Sequence, residues 1–146
     1  MTDTIVVDAN LFLSQALPLP YSNKTAVQLD VWKTELAHLV APVLWEYEIA
    51  TGLRRAVSDH LLTPEEAETT LEMLLEMDVE TIRPTPALHR RAFQWAARLE
   101  QNKAYDAQYL ALAEELGAVF WSADKRLVNR VRQLGVDWVY AIAQEN

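Results

Sequence analysis

The sequence contains no cysteine, and this absence excludes several classes of chemistry. Without a thiol the chain can form no disulfide, no thiolate nucleophile and no cysteine-based zinc or iron–sulfur site. Any metal ion must be bound by oxygen ligands or by histidine. The three histidines, His38, His60 and His89, do not have the spacing that is typical of metal ligands. We therefore expect oxygen ligands at any metal site.

Glycine is also scarce, with three residues among 146, and no apolar run is long enough to span a membrane. The longest apolar stretch, residues 39–45, is interrupted by Pro42, and the first ten residues have no signal-peptide pattern. Hydrophobic residues make up 51% of the chain, which is enough for a substantial core. We expect one domain spanning residues 1–146, located in the cytoplasm.

Positive charge is in deficit, because 21 acidic residues face 13 Lys and Arg and give a net charge of −8. The excess lies in one segment, since residues 59–80 hold eight acids and no Lys or Arg. The rest of the chain is balanced, with 21 − 8 = 13 acids against 13 bases. A polyanion can therefore still bind outside that segment, although no net positive field draws it in.

Short apolar segments alternate with helical segments along the whole chain. Strands are predicted at residues 5–7, 38–41, 79–82, 118–121 and 138–142, and helices from residue 23, over 43–58, from 63, from 85, over 105–117 and over 124–135. The 3.6-residue period predicts that Val27, Val31 and Trp32 form one inner face, and that Ala67, Leu71, Leu74 and Leu75 form another. This alternation predicts an α/β fold, mostly parallel and doubly wound, with about five strands and helices on both faces.

Acidic residues occur where such a sheet holds its ligands. Asp8 ends the first strand, Asp124 follows the fourth strand, and Asp106 lies in the first turn of a helix. Taken singly, each position has a purely structural interpretation: a strand-end acid bonded to backbone N–H groups, a helix N-cap, or a first-turn acid that complements the helix dipole. The carboxyl edge of an open α/β sheet is nevertheless the usual ligand site.

Four motifs in this order resemble one known family. They are VVDAN near the start, P-x-x-x-x-x-E-I-A from Pro42 to Ala50, YDAQYLALAEELGA, and WSADKRL. Over nearly the whole chain they are similar to the PIN-domain nucleases, and in particular to the toxin subunits of VapBC-type toxin–antitoxin pairs. The resemblance implies a metal-dependent ribonuclease that cleaves RNA phosphodiester bonds and is controlled by an antitoxin protein.

The resemblance also assigns the site. Periodicity leaves Glu46 and Glu48 equivalent on opposite flanks of their helix, whereas the family's glutamate directly precedes a small apolar pair, which identifies Glu48. The resemblance thus implies that Asp8, Glu48, Asp106 and Asp124 are the catalytic metal ligands. Asn10 and Ser122 stand where the family places supporting polar residues, although Asn10 replaces the more frequent Ser or Thr and a helix-cap role is equally compatible with its position.

Converging carboxylates repel one another, and a hard divalent cation removes that conflict. All-oxygen ligands suit Mg²⁺ or Mn²⁺, which we expect as the cofactor. Two alternatives stay open: a PIN nuclease without an antitoxin, acting in RNA processing or on DNA, and a non-enzymatic Mg²⁺-binding signalling or interaction module. A receiver-type module is disfavoured, because Arg83-Pro84 follows the third strand and the last strand has no Lys.

Partners follow from the same resemblance. We expect an RNA substrate, a cognate antitoxin and a homodimer. Basic residues flank the acid motifs and are candidates for phosphate contacts, with solvated helix faces as the simpler interpretation: Arg90, Arg91, Arg98, Lys103, Lys125, Arg126, Arg130 and Arg132. The acidic face of Glu68, Glu72 and Glu76 is a candidate surface for a cationic antitoxin segment, since helices of this region help to form the antitoxin groove in the family.

Overall fold

Five apolar segments form one parallel sheet in the structure, a computed structural model that describes residues 3–142. The strands are β1 (Thr4–Val7), β2 (His38–Pro42), β3 (Val79–Ile82), β4 (Val119–Ser122) and β5 (Val139–Ala141). They are arranged in the order β3-β2-β1-β4-β5, and every neighbouring pair is parallel. The predicted single α/β domain with a five-stranded parallel sheet is confirmed.

Helices connect these strands. They are α1 (Ala9–Leu13), α2 (Ser22–Thr34), α3 (Leu44–Ser58), α4 (Pro64–Leu75), α5 (Pro86–Arg98), α6 (Tyr105–Leu116) and α7 (Lys125–Gln133). Among the helices within residues 3–142, none combines the length and the apolar composition that crossing a bilayer requires.

Local signals account for the helix boundaries. Thr63 and Glu66 form the predicted capping box at the start of α4, with backbone-to-side-chain bonds of 3.1 and 2.9 Å. Thr85 accepts from the Leu88 N–H at 3.1 Å and caps α5. Gly117 ends α6 in the left-handed conformation, with φ of 60°, which favours glycine. These ends are specified by neighbouring residues, and this is why the sequence predicts them closely.

Two predicted inner faces are wrong in part. In α2, Val27 is 65% exposed and Val31 40% exposed, while Thr25 and Trp32 are buried. The Thr25 hydroxyl donates to the Tyr21 carbonyl at 3.0 Å, so its polar group is satisfied inside the core. The prediction is therefore right for Trp32 and wrong for Val27 and Val31, because a pattern that counts only apolar residues overlooks Thr25.

The same kind of error affects α4. Ala67 and Leu74 are buried as predicted and Leu71 is partly buried, but Leu75 is 43% exposed. The buried face of α4 is therefore narrower than the apolar pattern suggests, and it packs against α3.

Close packing holds α1, the short helix that directly follows Asp8, against α3. Phe12 meets Trp45 edge to face with ring centroids 5.3 Å apart, and both side chains are buried. Gly52 faces Leu13, and a Cβ atom at position 52 would collide with the Leu13 side chain. The absence of a side chain at Gly52 thus lets the two helices approach.

The strand order reverses between β1 and β4, because β2 lies on one side of β1 and β4 on the other. In open α/β sheets, the crevice at the carboxyl end of such a switch point is where ligands bind. Register aligns Val7 with Trp121 across this junction. Asp8, which follows Val7, and Ser122, which follows Trp121, are consequently neighbours.

Candidate active site

Asp8 occupies the junction between β1 and β4. Its backbone N–H donates to the Trp121 carbonyl at 3.2 Å, which extends the strand pairing by one residue. Its side chain then accepts three hydrogen bonds: from the Leu11 N–H at 3.1 Å, from the Ala123 N–H at 2.9 Å and from the Ser122 hydroxyl at 2.5 Å. Asp8 therefore caps α1 and lies at the candidate site at the same time.

Burial sets the proton affinity of Asp8. The residue is 7% exposed, and loss of hydration raises the pKa of its carboxyl from 3.8 to about 6. The hydrogen bonds from Ser122, Ala123 and Leu11 lower the pKa, whereas the nearby charge of Asp124 raises it further. The pKa of this carboxyl is thus close enough to neutral pH that a nearby cation or charge changes the ionised fraction of Asp8.

Ser122 couples Asp8 to Asp124. The hydroxyl donates to Asp8 and accepts from the Asp124 N–H at 2.9 Å, so one buried oxygen positions both residues. The Asp124 side chain accepts from the Leu127 N–H at 3.1 Å and caps α7. The helix-cap interpretation of Asp124 is thus correct, and it does not remove the carboxylate from the site.

Glu48 enters from α3 and is bonded to a residue of α6. The Tyr109 hydroxyl donates to Glu48 Oε1 at 2.5 Å. Partial burial raises the pKa of the Glu48 carboxyl, the bond from Tyr109 lowers it, and the charges of Asp8 and Asp106 raise it. Glu46, two residues earlier, is exposed. The structure therefore brings Glu48 into the site and leaves Glu46 at the surface.

Asp106 completes the set from the first turn of α6. Partial burial and the charge of Asp124 raise the pKa of its carboxyl, while a hydrogen bond from the Gln101 amide at 3.4 Å opposes the shift. The electrostatic influences form a closed ring, in which neighbouring pairs are Asp8 and Glu48, Glu48 and Asp106, Asp106 and Asp124, and Asp124 and Asp8. Four acids from separate parts of the chain thus repel one another in one place.

A cleft of about 50 Å³ contains this ring. All six residues singled out in the sequence line it: Asp8, Asn10, Glu48, Asp106, Ser122 and Asp124. Asn10 is the second residue of α1, whose cap is Asp8, so the helix-cap interpretation of Asn10 is wrong. Its exposed side chain stands at the mouth of the cleft instead. We refer to this cleft, with all the residues that line it, as the acid cleft.

Sequence comparison identifies the family to which this arrangement belongs. Residues 5–133 match the PIN domain family. The chain belongs to the PIN domain family. It is also 36% identical over 123 residues to VapC ribonuclease Mb0985 of Mycobacterium bovis and to ribonuclease VapC9 of Mycobacterium tuberculosis. These alignments cover 84% of this chain and 87% of each relative.

Solved structures share the fold of this PIN domain. PAE2754 of Pyrobaculum aerophilum superposes with a TM-score of 0.70 at 18% identity, covering 96% of this chain and 84% of that one. VapC20 of Mycobacterium tuberculosis, a toxin that cleaves the sarcin-ricin loop, gives 0.61 at 16% identity, with coverage of 82% and 87%. FitAcB of Neisseria gonorrhoeae gives 0.62 at 14% identity, with coverage of 97% and 99%. At these identities the comparison establishes the fold alone.

Oxygen ligands in the acid cleft of this PIN domain fit a hydrated divalent cation better than a closed metal cage. Within residues 3–142, no three His, Asp or Glu side chains are grouped closely enough to form a complete set of ligands. Mg²⁺ does not require such a set, because it is commonly held by one or two carboxylates together with water and phosphate oxygens. One water molecule needs a cavity volume of about 10–15 Å³, so a cleft of about 50 Å³ has space for more than one.

Tyr109 is the main residue of the acid cleft that the sequence analysis missed. It lies one helical turn after Asp106, so both side chains are on the same face of α6. Its ring is buried and stacks on Phe120 with centroids 5.5 Å apart. The spacing of Asp106 and Tyr109 was a usable signal, but an apolar helix face offers the same pattern for a tyrosine that serves only the core.

Four of the eight basic residues that flank the acid motifs make contacts within the part of the chain that the structure describes. Arg91 pairs with Glu114 and Glu115, both at 3.0 Å. The Arg98 guanidinium lies 4.3 Å from the centre of the Trp95 ring. Two more follow the same pattern: Arg130 pairs with Glu100, and Arg132 donates to the Val139 carbonyl.

Arg126 has a different position. It lines an open groove of about 560 Å³ that also includes Asp106 and Asp124, and it shares this groove with Arg130, which is paired with Glu100. Arg126 makes no ion pair within residues 3–142, so it is our candidate for a phosphate contact beside the acid cleft.

Proposed function

We propose that this PIN domain is a Mg²⁺- or Mn²⁺-dependent endoribonuclease and the toxin of a toxin–antitoxin pair. The observation that carries the proposal is the convergence of Asp8, Glu48, Asp106 and Asp124 on one cleft at the switch point of the sheet. The similarity to VapC ribonucleases supports RNA as the substrate and supports control by an antitoxin.

The acid cleft has the chemistry that such a reaction needs. A bound Mg²⁺ or Mn²⁺ supplies charge neutralisation for the phosphate and activation of the attacking water. We propose that the ion binds among Asp8, Glu48, Asp106 and Asp124, with one or two of these carboxylates as direct ligands and water and phosphate oxygens as the others. Ser122 and Tyr109 orient Asp8 and Glu48 through hydrogen bonds of 2.5 Å, and they favour the ionised form that binds a cation.

Metal-dependent cleavage of RNA is the direct test. The purified chain is incubated with labelled single-stranded and hairpin RNAs in Mg²⁺, in Mn²⁺ and in excess EDTA, with DNA of the same sequence in parallel. We expect cleavage of RNA with either metal and none in EDTA. Undiminished cleavage in EDTA would refute the metal mechanism, and cleavage of DNA alone would select the alternative of a DNA-directed nuclease.

Binding of the metal is measurable without activity. An ion that binds only the folded chain raises the melting temperature by mass action. We expect Mn²⁺ to raise it for the wild type but not for Asp8→Asn.

The toxin assignment is tested by expression in a host cell, where growth should stop unless the product of the adjacent gene is co-expressed.

A further inference from the structure

A second groove, of about 530 Å³, lies beside the acid cleft and has a different character. It is formed between the beginnings of α3, α5 and α6, and its lining includes Tyr47, Arg83, His89, Tyr105 and Gln108. Its volume is within the range of about 300–1,000 Å³ that is usual for ligand pockets. We refer to it as the tyrosine groove.

The tyrosine groove lies next to the acid cleft, because α3 and α6 each contribute residues to both sites. On α3, Tyr47 lines the groove and the next residue, Glu48, lines the cleft. On α6, Tyr105 lines the groove and the next residue, Asp106, lines the cleft. Successive helical residues point about 100° apart, so each helix presents neighbouring faces to the two sites. A ligand whose reacting group is in the cleft can therefore extend into the groove.

Both tyrosines are unusually exposed for large rings. Tyr47 is 67% exposed and Tyr105 is 60% exposed. Within residues 3–142, neither ring stacks on another aromatic ring, whereas other rings such as those of Trp121 and Tyr140 do. Two ring faces are consequently open in the same groove, beside the acid cleft.

The charge of the tyrosine groove is opposite to that of the acid cleft. Its lining includes Arg83 and, within residues 3–142, no carboxylate. A hydrophobic groove on α2 provides a contrast, because there Val27 and Val31 are accompanied by Asp30 and Glu35. The tyrosine groove thus suits an anionic ligand with flat apolar rings, and the groove on α2 does not.

We propose that the tyrosine groove binds an unpaired RNA base next to the phosphodiester that is cleaved, with Tyr47 or Tyr105 stacking on the base. This inference rests on the ribonuclease function proposed above and specifies how that substrate is recognised. Arg83 contributes a contact to the phosphate of the same nucleotide. Base stacking on exposed aromatic rings is the usual means by which proteins bind single-stranded RNA.

The polar residues of the groove provide a means of discriminating among bases. The Gln108 amide donates to His89 Nδ1 at 3.1 Å, which fixes the imidazole ring against α6. His89 Nε2, the Gln108 carbonyl oxygen and Arg83 remain as groups that can meet the edge of a stacked base. Because stacking alone tolerates every base, sequence preference at this position would come from these three side chains.

Binding measurements separate this role from a structural one. In an Asp8→Asn background, which keeps RNA uncut, affinity is measured for a labelled single-stranded RNA of mixed sequence. We expect Tyr47→Ala or Tyr105→Ala to raise Kd about tenfold, with little change in salt dependence. The corresponding change to Phe should restore binding. Phe93→Ala removes an equally exposed ring, 70% exposed on α5, outside the groove, and should leave Kd unchanged.

Cleavage of modified RNA locates the base. After the cleaved bond is mapped, the nucleotide on each side of it is replaced in turn by an abasic one. We expect kcat/KM of the wild type to fall about tenfold for one of the two replacements. In the tyrosine variant that weakens binding, the same replacement should have no further effect, because the ring and the base act as one interacting pair.

The possible results are distinguishable. If the Asp8→Asn chain binds no RNA and the wild type cleaves none, the proposed function and this inference both fail. If RNA is bound and cleaved but both tyrosine variants behave like Phe93→Ala, the inference is overturned and the function stands. If the tyrosine variants change the oligomeric mass in light scattering without changing RNA affinity, the groove is a contact between two copies of the chain, and the inference is again overturned.

Discussion

The Tyr109 hydroxyl donates to Glu48 Oε1 at 2.5 Å, across 61 positions of the chain. This bond joins α6 to α3 at the acid cleft and lowers the pKa of Glu48 against the effects of burial and of neighbouring charges. Tyr109 itself is buried, and burial together with the charge of Glu48 raises the pKa of its hydroxyl, so it is a donor at neutral pH. The pair therefore helps to keep one acid of the cleft ionised.

Tyr109→Phe should weaken the enzyme in a pH-dependent way. Without the donor, the pKa of Glu48 rises further, so a smaller fraction of the carboxyl is ionised at a given pH. We expect the acidic limb of the kcat/KM profile to move to higher pH, with a loss of about 1 kcal/mol in the free energy of unfolding. Tyr140→Phe, which removes a hydroxyl outside the cleft, is the control. Superimposable pH profiles for the two variants would argue against this role of Tyr109.

Asp8→Asn should abolish cleavage but stabilise the metal-free fold at neutral pH. The pKa of Asp8 in the folded chain, about 6, is above its value of 3.8 when hydrated, so ionisation of Asp8 opposes folding. This destabilisation is absent below pH of about 4, grows between about 4 and 6, and is complete above that range, where it amounts to about 3 kcal/mol. The substitution leaves one side-chain oxygen where Asp8 has two, so the variant cannot accept all three hydrogen bonds. We expect this loss to offset about 1 kcal/mol of the gain in stability.

Urea unfolding in EDTA checks this prediction. The difference in unfolding free energy between Asp8→Asn and the wild type should grow in favour of the variant from pH 4 to pH 7. Asp30→Asn removes an exposed acid on α2 and serves as the control. A difference for Asp8→Asn that is as flat across pH as that for Asp30→Asn would show that Asp8 is ionised without penalty in the folded chain.

Glu46 and Glu48 provide a matched pair on one helix. Glu48→Gln removes a carboxylate of the acid cleft, and we expect at least a hundredfold loss of kcat/KM, or about 2.7 kcal/mol. Glu46→Gln changes an exposed side chain two residues away and should leave activity within about twofold, because surface changes are usually worth less than about 0.5 kcal/mol. The reverse pattern would mean that the assignment on this helix is incorrect.

The acidic face of α4 is the surface on which we expect the antitoxin to dock. Glu68, Glu72 and Glu76 are exposed on this helix, while Ala67 and Leu74 pack inward. Exposed charges act mainly on association rates and are screened within about 10 Å at 0.1 M salt. Replacing the three glutamates by Gln should slow association with the antitoxin that we propose for this chain at low salt, and should leave RNA cleavage by the free chain intact.

A second triple variant controls for net charge. Asp30→Asn, Glu35→Gln and Asp137→Asn also remove three exposed acids, but from other surfaces. Stopped-flow association at low and high salt compares the two variants. Equal rates for both would mean that the antitoxin does not dock on the acidic face of α4.

The sequence by itself determined the elements of this PIN domain. Strand and helix limits follow from local causes: β-branched apolar runs, the Thr63 capping box and the left-handed turn at Gly117. Strand alternation with helices then leaves a parallel sheet as the arrangement that buries every apolar face. The positions of Asp8 and Asp124 at strand ends were visible for the same reason, whereas the choice of Glu48 over Glu46 came only from family resemblance.

Only the tertiary structure decided which side chains of these helices and strands are buried and which of them bond to one another. It buried Thr25 in place of Val27, because a threonine hydroxyl can satisfy itself within its own helix, and local pattern cannot show which side of a helix meets the sheet. It also paired Tyr109 with Glu48 and Ser122 with Asp8, residues that are 61 and 114 positions apart. Periodicity reports the faces of one helix at a time, while the charge state of a carboxyl depends on burial and on donors from other elements, which exist only after the chain has folded.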